Sequence, residues 1–173
     1  MAGIRKHGAH RQMLAVPPMA AGSANDTQAE QFTYDAFAAG AATASATNTT
    51  DPAQEQVTEA SLVVYANVIG QATNFMSPRL THTNSAGTIQ NRMRVNFDAA
   101  AKTLTANVPV NLGVASGGTV TGAGTATLTV DNGTALPWTL APGDTITFDR
   151  LTSGTGLASP SMSTTFLIQA KGA

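Results

Sequence analysis

The stretch TATLTVDNGTALPWTLAPGDTITF, residues 125–148, decides the fold class predicted for this chain. Apolar side chains take alternate positions in three segments of it, and threonine fills most of the positions between them. A period of two is the pattern of a β-strand that buries one face and exposes the other. Three successive strands are therefore predicted. Their apolar positions are Ala126, Leu128, Val130, Leu136, Trp138, Leu140, Ile146 and Phe148.

Two turn signals separate these strands. Asn132 and Gly133 both tolerate positive φ, so this pair predicts a two-residue β-hairpin. Pro142 and Gly143 suit the two central positions of a type II turn.

The same alternation extends in both directions along the chain. Upstream, residues 93–97 predict a strand, and residues 103–112 predict a second strand that pairs with it as a hairpin. Pro109 has no N–H to donate, so this second strand is expected at a sheet edge. Downstream, residues 162–168 predict the last strand.

Residues 51–69 carry two competing signals. Asp51-Pro52, with Gln54 three residues after the aspartate, is typical of a helix N-terminus. Residues 58–69 alternate and contain β-branched side chains, which favour a strand. The prediction is a short helix that begins at Pro52 and runs into a strand.

Together these elements predict an all-β fold. The expected architecture is an antiparallel, jelly-roll-like β-sandwich of about seven to eight strands over residues 51–173. A chain of 173 residues has room for one such core. A short helical or extended segment is expected before it.

Residues 1–50 are predicted to form an extended N-terminal arm followed by an Ala/Thr-rich strap. Residues 1–25 contain glycine and proline without a sustained period, which favours an extended arm. Residues 26–35 could form a short helix. Residues 36–50 are an uncharged low-complexity stretch, which is typical of a linker or of a strap that lies on a surface.

The arm carries a cluster of positive charge. Arg5, Lys6 and Arg11 lie in residues 1–25, which contain no acid. These bases are the candidate partner-docking residues, because they suit an acidic partner surface. A solvated tail is the other interpretation, and the sequence leaves both open. Three bases without interleaved aromatic residues would give only weak contact with nucleic acid, so direct DNA binding is not expected.

The composition narrows the class of protein. Only 11% of the residues are charged, against about 25% in typical soluble proteins. A low charge content suits a subunit that is packed in an assembly better than a dispersed enzyme. The chain has no cysteine, which excludes disulfides and thiolate chemistry. We expect no membrane span and no export signal, because the apolar run after the basic start is short and contains Pro17-Pro18.

No catalytic, cofactor-binding or metal-binding residue is predicted. His82 stands in the polar sequence THTNS and is expected to be solvated. Asp131, Asp144 and Asp149 could form a glycosidase pair, but all three stand at predicted turns or strand ends, where aspartate makes local hydrogen bonds.

Two further groups of residues suggest binding sites, and neither is predicted to be one. A calcium site on Asp131, Asn132 and Asp144 lacks the spacing of known calcium loops. Trp138 could be a sugar-stacking platform, but it shares its parity with Leu136 and Leu140, so it is expected in the core.

One segment resembles a known family. Residues 136–148, LPWTLAPGDTITF, resemble the turn-and-strand phrase L-x-P/A-G-D-x-I/F-T-I/F of tailed-phage head and minor structural proteins. The Ala/Thr/Gly-rich, cysteine-free chain with an arm before a sandwich is also similar to phage head decoration (cement) proteins and head fibres. No position-specific binding residue follows from this resemblance.

The resemblance implies a non-enzymatic virion protein. It would bind the outer surface of a phage head and stabilise the lattice of the major capsid (coat) protein, as a homo-oligomer, either a trimer or a dimer. It would be made in the host cytoplasm without an export signal and located on the capsid surface. The alternatives are a carbohydrate-binding β-sandwich module, a head-fibre or tail-associated protein, and, as the weakest, a glycan-cleaving enzyme.

Overall fold

Strands account for all the regular structure in the residues that the computed structural model describes, which are 9–12, 27–34, 46–49, 55–122, 124–156 and 160–170. These residues form thirteen strands and no helix, so the predicted all-β fold is confirmed. The strands are β1 (Ala9–Gln12), β2 (Thr27–Tyr34), β3 (Ala46–Thr49), β4 (Glu55–Val64), β5 (Val68–Ile69), β6 (Phe75–Thr83), β7 (Ile89–Asn96), β8 (Thr103–Leu104), β9 (Val110–Asn111), β10 (Thr127–Asn132), β11 (Trp138–Leu140), β12 (Thr145–Ser153) and β13 (Met162–Ala170).

Two antiparallel sheets form the sandwich. Sheet I has the strand order β1-β2-β13-β4-β11, and β9 also pairs with β4. Sheet II has the order β10-β7-β6-β12-β3. The short strands β5 and β8 pair with each other beside them.

The inward faces of both sheets meet in one hydrophobic cluster. Trp138 of sheet I is 1% exposed there, which confirms its predicted place in the core. Burial of aromatic and aliphatic side chains of this size supplies most of the favourable free energy of folding. The largest fully buried side chains are Trp138, Phe97, Phe148, Phe166, Leu62, Met76, Met93, Leu104, Leu128, Leu140 and Ile146.

A β-bulge shifts the alternation of β4. Leu167 of β13 pairs with Glu59, whereas the next residue, Ile168, pairs with Val57, so Thr58 is an extra residue. Such a bulge lets two residues that are an odd number of positions apart face the same side of the sheet. Val57 and Ala60 are both buried in consequence, and Glu59 points outward.

Both predicted helices are wrong over the described residues. Residues 27–34, expected within a short helix, form β2 between β1 and β13. The helix expected from Pro52 is wrong from residue 55 onward, because β4 occupies Glu55–Val64. Pairing on the sheet outweighed local helix signals of modest strength. Residues 51–54 lie outside the described part.

Strands from the predicted arm and strap join both sheets. β1 and β2 extend sheet I, and β3 pairs with β12 at the edge of sheet II. These three strands, together with several two-residue strands, raise the number above the seven to eight expected. The division into an arm (1–50) and a sandwich domain (51–173) stays a prediction, and strands from both sides of residue 50 share sheets.

The two predicted hairpins are also wrong. β7 pairs with β6 and β10 and not with residues 103–112. Those residues form two short strands, because Asn107 adopts a left-handed φ of 61° between them. β10 and β11 lie in different sheets, so the chain crosses from one sheet to the other after Asn132, the last residue of β10.

The predicted type II turn is supported by its geometry. Gly143 has a φ of 84° at the third position, where this turn requires a positive value. The N–H of Asp144 donates to the carbonyl of Ala141 at 3.0 Å and closes the turn.

Gly133 is needed for a different reason from the one its sequence suggested. Its φ is 66°, and a Cβ at this position would overlap the carbonyl oxygen of Gln90 and Oδ1 of Asn91. The glycine therefore lets the loop approach β7 closely enough for hydrogen bonds.

We expect Gly133→Ala to destabilise the protein more than Gly87→Ala. Gly87 has a similar φ of 83°, but a Cβ there would meet nothing within 4 Å. The control should lose only the left-handed strain, about 1–2 kcal/mol, while Gly133→Ala should lose a further ~1–3 kcal/mol because of the overlap. Urea unfolding followed by Trp138 fluorescence measures both, and equal losses would contradict the close-approach role.

Candidate functional site

A buried polar cluster lies at one end of the sandwich, where β6, β7 and β11 meet the turn before β12. His82 is its centre. It lies on β6 with the same parity as Met76 and Leu80, and it is 3% exposed. The expectation of a solvated His82 is therefore wrong, because β6 continues to Thr83 and carries the imidazole inward.

The carboxylate of Asp144 holds one side of the imidazole. His82 Nε2 lies 2.7 Å from Oδ2 of Asp144. The same carboxylate accepts hydrogen bonds from the backbone N–H groups of Ala141, at 2.9 Å, and Ser85, at 3.2 Å. A carboxylate bonded in this way ties the type II turn to the end of β6.

Asn91 of β7 holds the other side. Its Nδ2 lies 2.9 Å from Nδ1 of His82, and its Oδ1 accepts a hydrogen bond from the N–H of Thr134 at 3.0 Å. A backbone N–H can only donate, so it fixes Oδ1 toward Thr134 and Nδ2 toward His82. Nδ1 must then accept, and the proton of a neutral His82 lies on Nε2, from which it is donated to Asp144.

Trp138 closes the cluster from sheet I. Its ring stacks on the His82 ring with centroids 6.2 Å apart and an angle of 27° between the planes. Its Nε1–H donates to the carbonyl of Thr134 at 2.8 Å. The cluster therefore connects the two sheets through the 132–134 loop.

The hydrogen bonds determine the charge state of Asp144. Burial raises the pKa of this carboxyl group, but the hydrogen bonds from Ala141, His82 and Ser85 outweigh burial, and the net pKa lies below the ordinary value of 3.8. Asp144 is therefore ionised at neutral pH.

The cluster resembles a catalytic Asp–His pair in composition but is arranged for structure. A general base needs a ring nitrogen within hydrogen-bond reach of a substrate or nucleophile. Both nitrogens of His82 face protein groups, and the ring is buried. The expectation that the chain is not an enzyme stays a prediction.

The three aspartates that could have formed a catalytic pair have different partners. Asp149 receives two hydrogen bonds from Arg79, both at 2.7 Å, and Asp131 lies 3.5 Å from Arg94. Asp144 faces His82. In the part of the chain that the structure describes, no group of three or more His, Cys, Asp or Glu side chains could hold a metal ion.

Charge is concentrated on the outer face of sheet II. We call this the charged face, defined by Arg79, Arg92, Arg94, Asp131 and Asp149, with Asp98 and Lys102 paired at its end at 3.0 Å. Arg79 and Arg94 are cross-strand neighbours, and the aspartates beside them offset their repulsion. The hydrogen bonds and charge of Asp149 raise the pKa of Arg79 despite partial burial.

The outer face of sheet I is different. We call it the low-charge face, defined by Ser61, Val63, Thr165 and Leu167 on β4 and β13, with Glu59 at one end. Tyr65, which is 46% exposed, follows β4 and shares a hydrogen bond of 3.0 Å with the hydroxyl group of Ser163.

A groove of about 410 Å³ lies between the low-charge face and the segment that contains Thr121 and Gly122. Its lining includes Glu59, Ser61, Asn111, Thr121, Thr165 and Leu167. The lining is mainly hydroxyl, amide and aliphatic, with one carboxylate.

The structure places the candidate arm residues only in part. Arg11 lies on β1 with its backbone opposite Phe32, whereas Arg5 and Lys6 lie outside the described residues. The buried cluster was missed by the sequence reasoning. The available signal was the parity of Met76, Leu80 and His82.

Comparison with known proteins assigns this chain to no family. No family model matches the chain, and no curated protein matches it significantly. Among solved structures, a CocE/NonD family hydrolase from Staphylococcus aureus aligns with a TM-score of 0.26 and 8% sequence identity, over 87% of this chain and 32% of the hydrolase. The chain spans about a third of that protein, and a likeness this weak carries no functional argument. Among the described residues, no helix is long and apolar enough to cross a membrane.

We expect Asp144→Asn to lower the free energy of unfolding by about 2–4 kcal/mol at pH 7, because an amide supplies one acceptor oxygen where two are used. Since the folded pKa of Asp144 is depressed, its contribution is complete above 3.8 and is lost as the pH falls through the folded value. The variant should therefore lack this part of the acid dependence.

The matched control is Asp131→Asn, which removes a partly exposed ion pair. It should cost less than about 1 kcal/mol. Denaturant unfolding between pH 7 and acid, by circular dichroism, measures both variants. Equal losses, or an unchanged acid profile in Asp144→Asn, would contradict the assigned role of Asp144.

Proposed function

We propose that this protein is a virion structural protein that binds the outer surface of a phage head and stabilises the coat lattice. The observation that supports this best is the separation of charge between the two outer faces. Of the described side chains, seven partly exposed charged residues belong to the charged face or its end, whereas Glu59 is the one charged residue on the low-charge face.

A face depleted of charge is suited to contact with another protein. The cores of protein interfaces contain fewer charged side chains than the remaining surface, because each buried charge must lose its hydration. Threonine and serine on β4 and β13 offer hydroxyl groups that pair with a neutral partner. The coat surface that fits here is itself poor in charge.

The charged face serves a second purpose in this proposal. Its ion pairs are partly exposed and are screened by salt, so they add little stability. They keep the outward side of a coating subunit hydrated, which limits association of particles with one another.

Arms add contacts to neighbouring subunits. Arg5, Lys6 and Arg11 provide positive charge for acidic patches on the lattice, and many weak contacts on one particle sum through multivalency. The trimer or dimer expected from the resemblance would increase this effect.

The alternative function is a carbohydrate-binding module, and one observation favours it. Trp138 is buried, but Tyr65 is an exposed aromatic ring on the low-charge face, on which the groove with hydroxyl and amide groups also lies. Aromatic rings and such polar groups are typical of sugar sites.

Sedimentation of the native source particles tests the proposal. The 17.6 kDa chain should sediment with virus-sized particles, leave them after a mild chaotrope wash, and lower their resistance to heat when it leaves. A chain found free and monomeric would contradict the virion function, and a glycan array with Tyr65→Ala as control would then test the alternative.

Rebinding of the protein to washed particles tests whether the low-charge face is the docking surface. Thr165→Glu adds a carboxylate to the low-charge face, and we expect at least a tenfold loss of affinity, about 1.4 kcal/mol per site. Thr147→Glu makes the same change on the outer face of sheet II and should bind normally. Loss of binding by the control alone would reverse the assignment of the docking face.

A further inference from the structure

Thr134 and His82 bond to opposite ends of one amide side chain, that of Asn91. Asn91 presents its oxygen to the N–H of Thr134 and its NH₂ group to Nδ1 of His82. This arrangement satisfies all three groups only while Nδ1 carries no proton.

A second proton on His82 would change one side of the ring and leave the other intact. The Nε2–H bond to Asp144 is retained, and the carboxylate offsets the new positive charge. The Nδ1–H would point at the NH₂ group of Asn91, so that two donors would face each other. The conflict is therefore located at Asn91.

Rotation of the Asn91 amide by a half turn resolves this conflict. Oδ1 then accepts from the Nδ1–H of His82, and the NH₂ group turns toward Thr134. There it faces the backbone N–H, which cannot accept, and the hydroxyl oxygen, 3.4 Å from Oδ1 in the present orientation, which can. Thr134 is exposed, so its N–H can bond to water once it moves away. The cost of releasing this N–H is therefore small compared with leaving a donor unpaired at a buried histidine.

The charges around His82 are compatible with a protonated imidazole that keeps its bond to Asp144. The turn before β12 contributes Asp144, while β7 contributes the uncharged Asn91 and β11 the uncharged Trp138. Arg92 and Arg94 of β7 lie on the outer face of sheet II, and Arg92 donates to Thr81 there at 3.2 Å. Among these described neighbours, no cation faces the imidazole.

We propose that Asn91 is an acid-operated latch: protonation of His82 turns the Asn91 amide over and releases the backbone N–H of Thr134 from Asn91, while Asn132 stays bonded to β7 through its Nδ2 and the Ile89 carbonyl at 2.9 Å. The release reaches sheet I through Trp138, whose Nε1–H bonds to the Thr134 carbonyl. The latch is independent of the proposed virion function.

Amide hydrogen exchange measured by NMR on the full chain tests the latch. As the ring signals of His82 report its protonation, the protection of the Thr134 amide should fall about fivefold, the effect of losing one hydrogen bond. The Thr88 amide is the matched control, because it donates to Oδ1 of Asn84 at 2.8 Å without a histidine partner. Unchanged Thr134 protection through the His82 titration overturns the proposal.

Asn91→Asp separates the latch from a general effect of acid. A carboxylate accepts from the Thr134 N–H and from the Nδ1–H of His82 at once, so no rotation is needed. We expect Thr134 protection to become independent of pH. The same fall in protection in this variant as in the wild type overturns the role of the amide, and the wild-type exchange data decide the proposal should the variant not fold.

Discussion

The packing of two antiparallel sheets face to face is the constraint on which the rest of this structure depends. Each inward position must be apolar or must bring its own hydrogen-bond partner, because water does not reach it. Most inward positions are aliphatic or aromatic. At one end, His82, Asn91 and Asp144 are polar instead, and they satisfy one another together with backbone N–H groups from the adjacent turn. The cluster fixes how the two sheets meet at that end.

The sequence predicts which side of a strand is buried better than it predicts which strands pair. Alternation identified the inward residues of β7, β10, β11, β12 and β13, because each strand has to bury one side. The alternation does not show which strands are neighbours in a sheet. Asn132 and Gly133 are favourable in a hairpin, yet the chain crosses to the other sheet there, and nothing local distinguishes these outcomes. The same limit explains β2, whose short apolar pattern suits a helix until β13 is available to pair with it.

The turn-like composition of the segment THTNS conceals the buried position of His82. THTNS contains residues common in turns, but His82 still belongs to the alternating series of Met76 and Leu80. Asn91 gave no sequence signal, since its importance comes from contacts with Thr134 and His82 across the fold. Trp138 was placed correctly because its parity and the apolar pattern agreed. Residues whose function depends on distant neighbours are thus the least accessible to reasoning from sequence alone.

Sheet I joins the beginning of the described chain to its end, since β13 lies between β2 and β4. During synthesis, β2 and β4 emerge from the ribosome early and cannot be completed until the last strand follows them. Contacts of such long sequence separation make folding slow. Sheet II can pair β6 with β7 through a short connection well before that. A truncated or stalled chain would therefore display half a sandwich with open strand edges, which is the kind of intermediate that aggregates or is taken up by chaperones.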